Sequence, residues 1–122
     1  AIMYASAKKI DNLILTIDLN GKQIDGSTDE VLSLGNLKNK FNSFDWIVFE
    51  LENGNNIEDI LKTFAEAKKE IYKGKPICIL MKTEMGNGVD FMMNTHAWHG
   101  KAPSDEQLIQ GLSQNPETLG DF

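Results

Sequence analysis

The chain offers a single cysteine, Cys78, so no disulfide can form within it. Its place inside the apolar run "PICILM" marks a small core residue rather than a nucleophile, because nothing beside it would lower the thiol pKa. An unpaired thiol fits a reducing compartment, and the expected location is cytoplasmic. Basic runs are equally scarce. With a formal net charge of −6 and no cluster of lysines placed to neutralise phosphates, a nucleic-acid partner is excluded. A small anionic ligand is not, since a few local donors can hold one. No apolar stretch approaches the ~20 residues needed to cross a bilayer, so no membrane role is expected. The opening "AIMYASAKKIDN" has neither an initiator Met nor the hydrophobic segment of a signal peptide, and it reads like the end of a helix already under way.

What the chain does contain is ordinary for a globular protein. Hydrophobic residues make up 41% and charged residues 25% of 122 positions, which suits one domain, or a piece of one, with a real core. Three apolar runs read as strands: Asn12–Leu19, Asp45–Leu51 and Pro76–Lys82. Two of them are nearly continuous in apolar residues, as befits strands buried on both faces of a parallel sheet. Between them, Ile57, Ile60, Leu61, Phe64 and Ile71 recur at helical spacing and predict a helix over Ile57–Tyr72 with one apolar face. Asn55 or Asn56 caps its start, and Gly74 stops it. Ser27 and Glu30 have capping-box spacing for another helix, with Val31, Leu34, Lys38 and Phe41 facing inward. Ser104 and Gln107 repeat that spacing ahead of Leu108, Ile109 and Leu112. Strands alternating with helices predict an α/β fold, a parallel β-sheet flanked by helices and joined by right-handed crossovers. The segment Thr83–Pro103 fits neither period. Long loops of this kind are usually functional or disordered, and its Phe, Trp and Met residues speak against disorder.

Three places hold residues suited to chemistry. The first strand ends in "IDLNGKQIDG", and open parallel sheets bind ligands beyond the carboxyl ends of their strands. The Asn20 side-chain oxygen suits a hard cation such as Mg²⁺, and a backbone carbonyl shortly after it would supply a second oxygen. On these residues alone Asn20-Gly21 reads first as a plain turn, since both residues tolerate positive φ. His96 and His99 flank Trp98 in the long loop. An imidazole there can donate to phosphate oxygens or act as acid or base near neutral pH, or the loop can simply be anchored by Trp98. The spacing His-x-x-His lacks a third zinc ligand. Gly86–Gly88, "GNG", lacks the full phosphate-binding fingerprint and reads as a turn. Asp25, Glu84 and Asp90 form no pair whose separation the sequence reveals, so glycosidase-type chemistry has no support.

Taken in order, "IDNLI", "DLNGKQIDG", "EVLSLGNLKNKFNSFDWIV", "PICILMKTEMGNGV" and "WHGKAPSDEQ" resemble the thiamine-diphosphate-binding N-terminal domain of transketolases. The combination of "DLNGKQIDG" with "WHGKAP" is the specific part. The resemblance implies that Asn20 is a side-chain ligand of Mg²⁺ (or Ca²⁺) that also touches the cofactor diphosphate. It implies that Lys22 binds the metal through its backbone carbonyl, and that Ile24 lies close to the thiazolium ring. His99 is implied to contact the diphosphate and the substrate side of the pocket, which makes it the catalytic candidate.

The resemblance also has departures. Met85 stands where the family commonly has a lysine approaching the cofactor, and Asn53-Gly54-Asn55-Asn56 replaces the family's "DGHD" while keeping its Gly turn and helix cap. The family's "GDG", whose Asp is a metal ligand, is expected upstream of Ala1. The chain as a whole, 1-122, is therefore expected to be the C-terminal portion of a diphosphate-binding domain. It would work with a pyrimidine-binding domain or subunit, in a dimeric enzyme of the pentose phosphate pathway that transfers two-carbon ketol units between sugar phosphates. A relative acting on another ketose, such as a sulfosugar or dihydroxyacetone, is one alternative. A non-catalytic α/β interaction domain is the other.

Overall fold

A computed structural model describes residues 1–115. The domain assignment extends over 116–122, which lie outside the described residues. Elements follow in the order α1 (Ile2–Ala7), β1 (Ile14–Asp18), β2 (Lys22–Gln23), β3 (Gly26–Ser27), α2 (Thr28–Leu32), α3 (Leu37–Ser43), β4 (Ile47–Leu51), α4 (Ile57–Lys68), β5 (Ile77–Met81) and α5 (Asp105–Gln114).

The three apolar runs form one parallel sheet in the order β1-β5-β4. The last strand therefore takes the centre, which explains why its apolar run is the most continuous. Ile77 and Ile79 are fully buried on one face, and Cys78 and Leu80 are buried on the other. Alternate residues of one strand thus feed two cores, as a period of two requires. On one side Ala5, Phe41 and Trp46 cover Cys78 and Leu80. On the other, Ala67 of α4 packs with Leu51, Ile77 and Ile79. Each such burial contributes about 1.5–3 kcal/mol for a large apolar side chain. Trp46 sets its ring edge-on to Phe41, with centroids 5.3 Å apart, and donates from Nε1 to the Ile2 carbonyl at 3.2 Å. These contacts hold α1 against the start of β4. Burial alone pushes the Cys78 thiol up to about 11, in keeping with its reading as a core residue.

Three expectations need correction. The helix predicted from Ser27 to Phe41 is two helices, α2 and α3, because Gly35 adopts φ +56° between them. Of the residues expected to face inward, only Phe41 does so fully. Val31 and Leu34 are exposed, and Lys38 extends to an ion pair with Glu50. The α4 helix has the predicted Asn56 cap, whose Oδ1 accepts the Asp59 N–H at 2.9 Å, but it ends at Lys68 rather than Tyr72. The chain reverses through Tyr72 at φ +65° before Gly74. Ile60, Phe64 and Ile71 pack on the core, whereas Ile57 and Leu61 point outward. In α5 the Ser104–Gln107 capping box forms as predicted, yet Leu108, Ile109 and Leu112 are exposed and Gly111 is the buried residue.

Candidate functional site at the carboxyl edge of the sheet

Register sets the site. Asp18 of β1 and Leu51 of β4 both align with Met81 of β5, so the three strands end level with one another. The turns that follow are stitched together. The Leu19 N–H donates to the Met81 carbonyl at 2.8 Å, Lys82 N–H to Leu51 at 2.8 Å, and Gly54 N–H to Lys82 at 2.7 Å. Glu84 N–H donates to Asn55 Oδ1 at 2.7 Å, and the Thr83 hydroxyl donates to the Asp18 carboxylate. Gly54 is required here. A Cβ on it would lie 2.5 Å from the Lys82 carbonyl oxygen and 2.8 Å from Thr83 Cγ2. Between the loops after β4 and β5 an open cleft of about 530 Å³ is lined by Glu52, Asn53, Asn55, Lys82, Thr83 and Glu84.

Asn20 follows β1 at this edge. Its Oδ1 accepts the Lys22 N–H at 2.9 Å, a local turn in which the side chain mimics a backbone carbonyl. An amide oxygen has two lone pairs, so this bond orients the oxygen and leaves one acceptor site. Gly21 is left-handed at φ +69° and its carbonyl accepts the Thr28 N–H at 3.0 Å. The chain then turns back on itself, with Lys22 opposite Ser27 and Gln23 opposite Gly26. This hairpin lifts Ile24 to its tip, where it is 65% exposed. The lone apolar residue in a polar turn thus faces solvent rather than the core. Gln23 was not singled out from sequence. Its Nε2 is buried without a hydrogen-bond partner, a feature that two strand residues give too short a pattern to reveal.

The long loop approaches the same hairpin. Hydrogen bonds from Ser27 hold the exposed Glu30 carboxyl below its ordinary pKa, with smaller contributions from the charges of Lys22 and His96. His99 lies in the next turn, where its N–H donates to the His96 carbonyl at 3.0 Å. Its side chain is exposed, and among the described residues no hydrogen bond joins it to Asn20 or Lys22. Met85 is partly buried. Among the described residues no group of three His, Cys, Asp or Glu side chains is placed to hold a metal, and no helix is long and apolar enough to cross a membrane.

A level parallel sheet whose carboxyl edge gathers amide oxygens and tight turns defines an α/β ligand-binding domain. The family model described as "Transketolase, thiamine diphosphate binding domain" matches residues 1–116, and the chain belongs to that family. It is 34% identical over 119 residues to an apulose-4-phosphate transketolase subunit from Phocaeicola vulgatus, covering 98% of this chain and 41% of that protein. It is 35% identical over 114 residues to the 6-deoxy-6-sulfo-D-fructose transketolase subunit SqwG of Clostridium sp. (strain MSTE9), covering 93% and 40%. The transketolase structure of Campylobacter jejuni superposes with a TM-score of 0.81 at 30% identity, over 93% of this chain and 17% of that one. The chain spans about 40% of the length of the two curated relatives.

Proposed function

We propose that this chain supplies one side of the diphosphate and metal site of a transketolase, and that the complete cytoplasmic enzyme moves a two-carbon ketol unit between sugar phosphates. The observation that carries the reading is the place of Asn20. It stands directly beyond β1 at the level carboxyl edge, with an oriented oxygen that keeps one lone pair free. A hard-cation site fits this donor set. The Asn20 side chain and the Lys22 carbonyl are neutral oxygens, which suit Mg²⁺ or Ca²⁺ when anionic ligands come from the diphosphate and from a carboxylate elsewhere in the protein. Thiamine diphosphate, when bound, supplies the carbanion stabilisation that ketol transfer needs. The chain's own residues position and shield it: Ile24 offers an apolar surface to the ring, and His99 donates to phosphoryl oxygens and to the substrate side. The pyrimidine-binding partner and the group that activates the cofactor come from remaining domains or a second subunit, and the complete enzyme is dimeric.

A second reading concerns the sugar. Two relatives with 34–35% identity across nearly the whole chain are named as subunits acting on apulose 4-phosphate or 6-deoxy-6-sulfo-D-fructose, against 28–32% for three relatives named simply transketolase. This favours a two-subunit enzyme for a modified ketose over one of the pentose phosphate pathway. The test is a turnover assay of the full protein with xylulose 5-phosphate, apulose 4-phosphate or 6-deoxy-6-sulfo-D-fructose as donor and an aldose phosphate as acceptor. Ketol transfer that requires thiamine diphosphate and a divalent cation, with preference for a modified ketose, is the expected result. Preference for xylulose 5-phosphate rejects only the second reading. Failure with every donor, together with no cofactor binding, makes this a non-catalytic α/β interaction domain.

A further inference from the structure

The long loop after β5 is not a free flap. Asp90 is gripped by α5 through both its main chain and its side chain. Its N–H donates to Gln114 Oε1 at 2.8 Å, and its Oδ1 accepts Gln114 Nε2 at 2.8 Å and Gln110 Nε2 at 3.4 Å. The same oxygen accepts the Phe91 N–H at 2.7 Å. One turn away, Val89 and Phe91 pack over the buried Gly111, whose absent Cβ would sit 3.6 Å from Val89. The Phe91 carbonyl then accepts the indole N–H of Trp98 at 2.9 Å, and the two rings lie 5.3 Å apart. Lys101 places its ammonium 4.7 Å over the Trp98 ring, a cation–π contact on the other side of His99 in sequence. Gly86 allows the loop to fold on itself, since a Cβ there would lie 2.4 Å from the Met92 carbonyl oxygen.

These contacts form one continuous strut from α5 through Asp90, Phe91 and Trp98 to the turn that carries His99. We propose that Trp98 and Asp90 are positioning residues for His99, holding its imidazole in place through the Trp98–Phe91 bond and the clamp on α5. The proposal rests on the reading of His99 as a diphosphate and substrate contact. Its physical basis is that a side chain on an otherwise exposed loop contributes more to binding when its rotational and segmental freedom is already restricted. Trp98 is suited to this because its partly buried indole N–H bonds the Phe91 carbonyl, and removing that donor leaves the carbonyl without its partner.

The experiment uses the full-length protein and a double-mutant cycle between Trp98→Phe and His99→Ala, with Gln114→Ala as a second probe of the strut. Thiamine diphosphate affinity in Mg²⁺ is measured by calorimetry, together with donor-ketose KM and kcat and the unfolding midpoint. Trp98→Phe is expected to weaken cofactor affinity about fivefold, the scale of one net hydrogen bond, with only a small fall in the midpoint. In the His99→Ala background it should have no further effect. If His99→Ala weakens binding while Trp98→Phe and Gln114→Ala do not, the strut is overturned. It is overturned too if the Trp98→Phe effect persists in full without His99. No effect of His99→Ala itself rejects the role of His99 and, with it, this inference. Should Trp98→Phe fail to fold, the same cycle with Gln114→Ala decides.

Discussion

Gly54 shows how a single missing side chain shapes the edge. Replacing it with Ala drives a Cβ into the Lys82 carbonyl oxygen, so the loops after β4 and β5 must separate. We expect Gly54→Ala to cost about 1–3 kcal/mol, as overpacking usually does, measured by denaturant unfolding of the full protein. At the other extreme, Cys78 is fully buried and its thiol is pushed up to about 11. Thiolate, not thiol, reacts, so alkylation by iodoacetamide at pH 8 should be slow in the native protein and fast in denaturant. Equal rates would contradict its core position. The place of Asn20 just beyond the first strand was legible in sequence because a polar residue that ends an apolar strand is conspicuous. Its bond to the Lys22 N–H was not, because an amide's rotamer is set by turn geometry rather than by residue order.

Among the elements, the strands were the easiest to read, since β5 carries apolar residues at every position and can only lie between two layers. The order β1-β5-β4 was not readable, because periodicity says which residues are buried and not which strand is beside which. Three helix starts were also plain, one of them narrowed only to Asn55 or Asn56, while the Asn36 cap that starts α3 was not read. Ser27, Asn56 and Ser104 each cap a helix as the side-chain chemistry requires. Helix faces were less so. Leu61, Ile109 and Leu112 have the spacing of core positions but are exposed, since an apolar stripe marks a surface that packs without naming the surface it packs against. Gly35 and Tyr72 broke helices that pattern alone would extend. At this scale Ser104→Ala should remove the α5 cap at a cost of about 1 kcal/mol. Because α5 holds Asp90, hydrogen exchange should rise in the 86–101 segment as well as in the first turn of α5. Protection lost only in α5 would mean that the loop is held independently.

For the molecule as a whole, the exposed apolar side chains carry the argument. Ile24, Leu32, Leu61, Ile109 and Leu112 are all more than 60% exposed, and wherever such side chains form a contiguous patch they mark contact with further protein or ligand. Because the proposed cofactor-activating group belongs to another domain or subunit, the chain is expected to show no ketol transfer alone, even with thiamine diphosphate and Mg²⁺ in excess, and product formed by the pure chain would contradict the half-site account. The most direct test of that account is a calorimetric titration of thiamine diphosphate, in the presence of Mg²⁺, into the full protein and its Asn20→Ala and Lys22→Ala variants. Asn20→Ala removes a side-chain oxygen from the proposed metal shell, whereas Lys22→Ala retains the carbonyl through which Lys22 acts. The account predicts a loss of roughly tenfold to a hundredfold in affinity for Asn20→Ala and little change for Lys22→Ala. Equal losses in the two variants, or undiminished affinity in Asn20→Ala, would contradict it.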